Sequence, residues 1–257
     1  MPSYVVTGAS RGIGLQFVKH LSANDENQVF AIVRNKSTAK FLHELCESRG
    51  NVTILEADVT DAKALNLAAA EVAKATDNKL DYLINNAGSS TLPGFTIDQL
   101  SARQCKLNSV VHSTNAFLPL LKNGSTKKVL TLSSGVGHLG FTLQSGMAGS
   151  VSYAIAKAAL NMAVAKFAVQ YKAEGFVFLS INPGSVDTSA TQVAPWPAGG
   201  VKEIEMLMAG LSNIMPTIPP PISTEESVRM QLEVFYNWPI ERSGEMVSHF
   251  GNDTRWL

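Results

Sequence analysis

Tyr4–Val5–Val6–Thr7–Gly8–Ala9–Ser10–Arg11–Gly12–Ile13–Gly14 opens the chain, and Leu15–Leu21 follows it. Tyr4–Thr7 reads as a short buried strand, three glycines break it, and Leu15–Leu21 takes up helical periodicity. A strand, a glycine turn and a helix in that order aim backbone amides and a helix N-terminus at an anionic pyrophosphate, with the glycines permitting close approach. The spacing is G-x-x-x-G-x-G, a variant of the dinucleotide fingerprint. A glycine-rich turn alone is a weak signal; its place after the first strand gives it weight.

The rhythm set by this unit continues along the chain. A second strand, Val29–Val33, ends in Arg34–Asn35–Lys36. An acidic residue at that strand end would bind the 2′-hydroxyl of NAD, whereas an arginine accommodates the 2′-phosphate of NADP. Arg34, with Arg11 as a second cation, favours NADPH/NADP+. A helix around Thr38–Arg49, a strand Val52–Glu56 and an alanine-rich helix to about Ala75 come next, with Asp58 at the strand's carboxyl end. Asp58 reads either as a ligand contact or as a helix cap, a role for which Thr60 is equally placed. Leu80–Ile84 is the fourth strand and leads into Asn85–Asn86–Ala87–Gly88. Asp98 caps a helix to about Leu121 that carries Asn108, a poor helix former kept for a polar task or simply exposed. Lys128–Leu132 is the fifth strand and delivers Ser133–Ser134 to the ligand edge.

Gly135–Val151 contains five glycines and reads as a mobile loop ahead of a long helix. Phe176–Ile181 is the sixth strand, ending in Asn182–Pro183–Gly184–Ser185–Val186–Asp187–Thr188. Residues 189–222 break the rhythm with Pro195, Trp196, Pro197 and Pro219–Pro221, and form an insertion that is either a substrate lid or a packed cap. Thr224 caps a last helix and Glu245–Ser248 is a seventh strand. Alternating elements of this length imply right-handed crossovers and a Rossmann-type, doubly wound, seven-stranded, mainly parallel sheet with helices on both faces. No repeat or linker divides residues 1–257, so one domain is expected.

Composition narrows the function. Of 257 residues, 16% are charged, the formal net charge is zero and no basic block tracks a phosphate backbone, which argues against nucleic acid. Apolar residues make up 45% but occur in short runs, well below the roughly 20 that span a bilayer. Tyr4–Thr7 is too short for the apolar core of a signal peptide, so a cytoplasmic protein is expected. Two cysteines, Cys46 and Cys105, are too few for a disulfide framework or a zinc site, and both read as core residues. No metal is expected.

Tyr153 and Lys157 share one face of the long helix. A tyrosine hydroxyl has an ordinary pKa of about 10, and a neighbouring cation favours its ionised form, so the pair is a candidate proton donor with a tuner. The same spacing also occurs on ordinary surface helices.

Taken together, Thr7–Gly14 as T-G-x-x-x-G-I-G, Asn85–Gly88 as N-N-A-G, Ser152–Lys157 carrying Y-x-x-x-K, and Pro183–Thr188 as P-G-x-V-x-T resemble the short-chain dehydrogenase/reductase family over essentially the whole chain. The tail with Gly251 and Trp256 is most similar to the sniffer and carbonyl-reductase-like branch. The resemblance implies that Tyr153 is the general acid for carbonyl reduction, that Lys157 tunes it and grips the nicotinamide ribose, and that Ser134 hydrogen-bonds the substrate oxygen. It further implies that Asn108 supports a water-mediated proton relay to Lys157. Gly8, Ser10, Arg11, Gly12, Ile13 and Gly14 would line the cofactor turn, and Arg34 would take the 2′-phosphate. Asp58 and Val59 would flank the adenine, and Asn86, Ala87 and Gly88 the adenosine ribose. Pro183, Gly184, Val186 and Thr188 would meet the nicotinamide amide.

The nineteen positions from Ser134 to Tyr153 exceed the family's common gap, so Gly135–Val151 is expected to bulge outward, with His138, Phe141 and Trp196 lining the substrate pocket. The reading is therefore an NADPH-dependent reductase of a hydrophobic ketone or aldehyde, acting as a homodimer or homotetramer. An NAD-dependent alcohol dehydrogenase and a non-catalytic cofactor-sensing protein are the alternatives.

Overall fold

The computed structural model describes residues 1–88, 108–192, 208–215 and 217–257. In chain order its strands are β1 (Ser3–Thr7), β2 (Gln28–Val33), β3 (Val52–Glu56), β4 (Tyr82–Asn85), β5 (Lys128–Leu132), β6 (Val177–Asn182), β7 (Val186–Asp187), β8 (Ile222–Ser223) and β9 (Met246–Ser248). The helices are α1 (Gly12–Leu21), α2 (Lys40–Cys46), α3 (Ala62–Ala75), α4 (Asn108–Asn123), α5 (Leu139–Ser145), α6 (Val151–Tyr171) and α7 (Thr224–Asn237).

Seven strands form one sheet in the order β3-β2-β1-β4-β5-β6-β9. Every pairing in it is parallel. The order reverses between β1 and β4, which opens a crevice at the carboxyl ends of the strands, the place where such sheets take ligands. The strands read as continuous apolar runs because both faces are covered. On one face Tyr4 and Val6 pack with Phe17, Val18 and Leu21 of α1 and with Val228, Leu232 and Phe235 of α7. On the other, Val5, Leu83 and Phe178 meet Leu65 and Val72 of α3, Phe117 and Leu121 of α4, and Val164 of α6. Each fully buried phenylalanine here stabilises the fold by about 1.5–3 kcal/mol.

At the opposite edge, Tyr4 and Tyr82 stack at 4.5 Å, and Lys128 Nζ donates to the carbonyls of Phe235, Tyr236 and Trp238 at 3.3, 2.7 and 3.3 Å. The ammonium thereby satisfies the carbonyl end of α7, where a cation is favoured.

The structure corrects the sequence reading at several points. Gly135–Val151 is not an open loop: Gly135–Gly137 makes a 3-10 turn and Leu139–Ser145 makes α5. Within it the His138 ring accepts a hydrogen bond from the Phe141 amide and so caps α5. The cap of α3 is Asp61, which accepts from the amides of Lys63 and Ala64, and neither Asp58 nor Thr60. Ser223, one residue ahead of Thr224, caps α7. Cys46 is half-buried rather than a core residue.

The short strands β7 and β8 were not foreseen. Val186 pairs with Ile222 and Asp187 with Ser223, so the chain leaves for and returns from the 189–222 insertion at one point. Asp98, Cys105 and Trp196 lie outside the described residues, as does the side chain of Asn108 at the start of α4.

Candidate active site

The glycine turn is held from behind by β4. Asn86 Nδ2 donates to the carbonyls of Thr7 and Gly8 at 2.9 and 3.1 Å, and the Thr7 hydroxyl accepts from the amides of Asn86 and Ala87. Gly8 has φ +68°, and a Cβ there would stand 2.8 Å from Ala87 Cα. A Cβ on Gly14 would collide with the Gly8 carbonyl and Asn86 Nδ2. The N-N-A-G stretch is therefore the brace of the turn as well as a strand-end loop, a role its sequence did not reveal. Its first asparagine, Asn85, is buried and ties β4 to α4: it donates to Thr114 Oγ1 at 3.0 Å and accepts from Ser113 Oγ at 2.6 Å.

The front of the turn meets the segment after β6. The Gly12 amide donates to Thr191 Oγ1 at 2.8 Å, and a Cβ on Gly12 would lie 3.5 Å from the Thr188 methyl. Pro183 is anchored through its carbonyl, which accepts from Ser227 Oγ at 2.7 Å, while the buried His249 ring packs under Gly184. Val186 is half-buried in β7. Thr191 and His249 had no sequence signal beyond their places near those strand ends.

Arg34 and Arg11 are exposed, one just past the end of β2 and one at the start of α1. The Ala9 amide donates to Ile32 O, which keeps the turn against β2 and hence against Arg34. Ser10 is half-buried within the turn, and Ile13 is packed on the core beneath it. At the end of β3, Asp58 Oδ1 accepts from the Thr60 amide and hydroxyl at 2.8 and 2.7 Å, and Val59 packs on the second core.

The three residues at and after the carboxyl end of β5 engage one face of α6 in succession. Lys157 Nζ donates to Leu132 O at 2.6 Å. The Ser133 hydroxyl donates to Asn161 Oδ1 at 2.6 Å. The Ser134 hydroxyl faces the Tyr153 phenol and acts to lower its pKa. Lys157 Nζ also sits 5.6 Å from the Tyr153 ring centroid and faces Gly88, where a Cβ would stand 3.8 Å from it. The nineteen-position path is absorbed by the turn at Gly135–Gly137 and by α5, so Ser134 and Tyr153 do meet.

The electrostatics differ from the simple picture of a cation depressing a phenol. Burial raises the Tyr153 pKa, and the Ser134 hydroxyl opposes that shift. Burial pushes Lys157 down to about 8. Loss of water is the largest cause of both shifts.

Of the expected pocket residues, His138 lies against Trp256 with centroids 4.9 Å apart and the rings tilted by 41°. Phe141 is buried and meets the same indole edge-on at 5.9 Å. Phe141 thus faces inward into a cluster with Trp256 and Leu211 rather than an open space. Leu139 and Leu143, which the sequence reading did not single out, are the apolar side chains that α5 leaves exposed, at 74% and 73%. Among the described residues no three His, Cys, Asp or Glu side chains are grouped to hold a metal. No helix there is long and apolar enough to cross a membrane.

The crevice at the sheet's switch point, the braced glycine turn on its rim and the Ser–Tyr–Lys cluster beside it define a Rossmann-type architecture, and the turn fits a dinucleotide. The family model for short chain dehydrogenase matches residues 3–196, and the chain belongs to that family. It is 40% identical to the short-chain dehydrogenase/reductase atnB of Arthrinium sp over 275 aligned positions covering 100% of both chains. Among solved structures it is similar to the NADPH-bound carbonyl reductase from chicken fatty liver, at 28% identity and TM-score 0.79, covering 100% of this chain and 99% of that one. The carbonyl reductase Sniffer of D. melanogaster shares the fold over 100% of both chains, with TM-score 0.78 at 24% identity.

Proposed function

We propose that this protein is an NADPH-dependent reductase of hydrophobic ketones or aldehydes. The observation that carries the reading is the convergence of Ser134, Tyr153 and Lys157, with the Ser134 hydroxyl facing the phenol and Lys157 Nζ 5.6 Å from its ring centroid. Bound NADPH would supply the hydride to the carbonyl carbon. Tyr153 gives its phenolic proton to the carbonyl oxygen, and Ser134 donates a hydrogen bond to that oxygen, so charge developing there is met by two hydroxyls fixed before reaction. Lys157 stabilises the phenolate left on Tyr153, and Asn108 at the start of α4 serves the relay that returns its proton.

Arg34 and Arg11 take the 2′-phosphate, and Asp58, Asn86, Gly88, Val186 and Thr188 flank the remainder of the cofactor. The NADPH-bound chicken carbonyl reductase supports the cofactor choice. Leu139 and Leu143, exposed on the segment between Ser134 and Tyr153, support an apolar substrate. Residues 1–257 act as one domain in a homo-oligomer, a reading supported by Met162 and Val169, which α6 leaves 60% and 77% exposed.

The test is Tyr153→Phe. Fluorescence titration is expected to show NADPH binding at the original affinity, with turnover of an aromatic ketone panel lost by about a thousandfold or more. A variant that turns over at the original rate overturns the mechanism.

A further inference from the structure

Asn161 lies one helical turn beyond Lys157 and two beyond Tyr153, on the same face of α6. Its amide is used at both ends. Oδ1 accepts the Ser133 hydroxyl at 2.6 Å, and Nδ2 donates to the Gly137 carbonyl at 3.3 Å. A backbone carbonyl only accepts, so the amide nitrogen must face Gly137, which leaves the oxygen for the serine. The two contacts bracket the short stretch that contains Ser134. On one side Ser133 is buried, with its amide donating to Ile181 O at 2.7 Å. On the other, Gly137 is seated against α6 so closely that a Cβ would stand 2.6 Å from Lys157 Cβ and 2.8 Å from its carbonyl carbon. Between them Ser134 has extended backbone, φ −157° and ψ 146°, and its own side chain lies outside this bracket, facing Tyr153.

We propose that Asn161 is a positioning residue for the hydride-transfer site: it clamps Ser133 and Gly137 to α6 and so sets the Ser134 hydroxyl against the Tyr153 phenol across the long intervening segment. Asn161 touches neither reacting group. Its effect passes through the backbone of residues 133–137, and the inference rests on the functional reading of Ser134 and Tyr153 given above. Removing the amide leaves the buried Ser133 hydroxyl and the Gly137 carbonyl without their partner on α6. Both then seek new ones, and Ser134 moves with them.

The experiment is a double-mutant cycle on steady-state reduction of an aromatic ketone by NADPH, using Asn161→Leu, Ser134→Ala and the pair. Asn161→Leu is expected to lower kcat by roughly ten- to a hundredfold, with the NADPH dissociation constant unchanged. In the Ser134→Ala background the same substitution is expected to add almost nothing, since the group it positions is gone. Ser133→Ala, which removes one leg of the clamp by deleting a single oxygen, is expected to reproduce part of the loss and remains informative if Asn161→Leu fails to fold. An Asn161→Leu effect that persists undiminished in the Ser134→Ala background, or an unchanged kcat in both Asn161→Leu and Ser133→Ala, overturns the inference. Tyr153→Phe run alongside separates the two failures: if that variant also keeps full activity, it is the assignment of the site that has failed.

Discussion

Lys157 Nζ donates to the Leu132 carbonyl at 2.6 Å, and that bond fixes the ammonium between the end of β5 and the Tyr153 ring. One carbonyl does not replace the water the lysine lost, and its pKa falls to about 8. The unfolded chain keeps this proton up to the ordinary lysine value of about 10.4. Between those values the unfolded state binds more protons, so the site adds stability as pH rises from about 8 and imposes its full penalty below that. Lys157→Met removes the titration. The melting temperature of the variant minus that of the parent is expected to be larger at pH 7 than at pH 10, measured by scanning calorimetry. Parallel curves across that interval would show that the lysine is not desolvated.

Gly137→Ala drives a methyl into the backbone of α6 at Lys157. Overpacking of this kind costs about 1–3 kcal/mol. Urea denaturation is expected to show that loss, together with a fall in kcat, because the helix that would yield is the one carrying Tyr153. A variant as stable and as active as the parent would contradict the packing.

Lys128 offers the contrasting case at the other end of β5. Its three bonds to carbonyls at the end of α7 predict that Lys128→Met loses about 1–2 kcal/mol of stability, while kcat and KM stay unchanged. The separation of the two effects follows from the length of one strand, and a catalytic defect in this variant would refute it.

Arg34→Asp tests the cofactor assignment. Replacing the cation proposed to face the 2′-phosphate with an anion would remove a charge-assisted hydrogen bond and add repulsion, expected to weaken NADPH by about a hundredfold or more and to leave NADH unaffected or improved. Dissociation constants for both cofactors decide it; equal affinities in the parent protein would remove Arg34 from the site.

Trp256 reaches the site from the far end of the chain. Asn182 Nδ2 donates to its carbonyl at 2.9 Å, and its ring covers His138 and Phe141. Trp256→Ala is expected to cost about 3 kcal/mol, read by denaturation. Activity should fall with it, because α5 loses its support. Trp256→Phe should restore most of both, and failure of that rescue would argue against packing as the cause.

Much of this was written into the sequence, for a local reason. Strand periodicity, the glycine turn and the i, i+4 spacing of Tyr153 and Lys157 are properties of neighbouring residues, so the doubly wound parallel sheet and the helix bearing the pair could be read from them. Cap choice was less legible: Asp58, Thr60 and Asp61 are equivalent cap formers in sequence, and only the backbone geometry selected Asp61. Gly135–Val151 was misread because its glycines serve close packing and a helix end, not only flexibility. Gly137 is small because Lys157 lies against it, and Gly146, with φ 65°, ends α5.

What the sequence alone determined is therefore the order of elements, the cofactor-type turn and the chemical character of Tyr153, Lys157 and Ser134. The tertiary structure decided which partners each received. It turned the Ser134 hydroxyl toward the phenol across nineteen positions, placed Asn161 beneath the neighbouring serine, and gave Lys157 the Leu132 carbonyl. Such pairings depend on where β5 ends against α6, and that is fixed by the packing of two distant segments rather than by either of them.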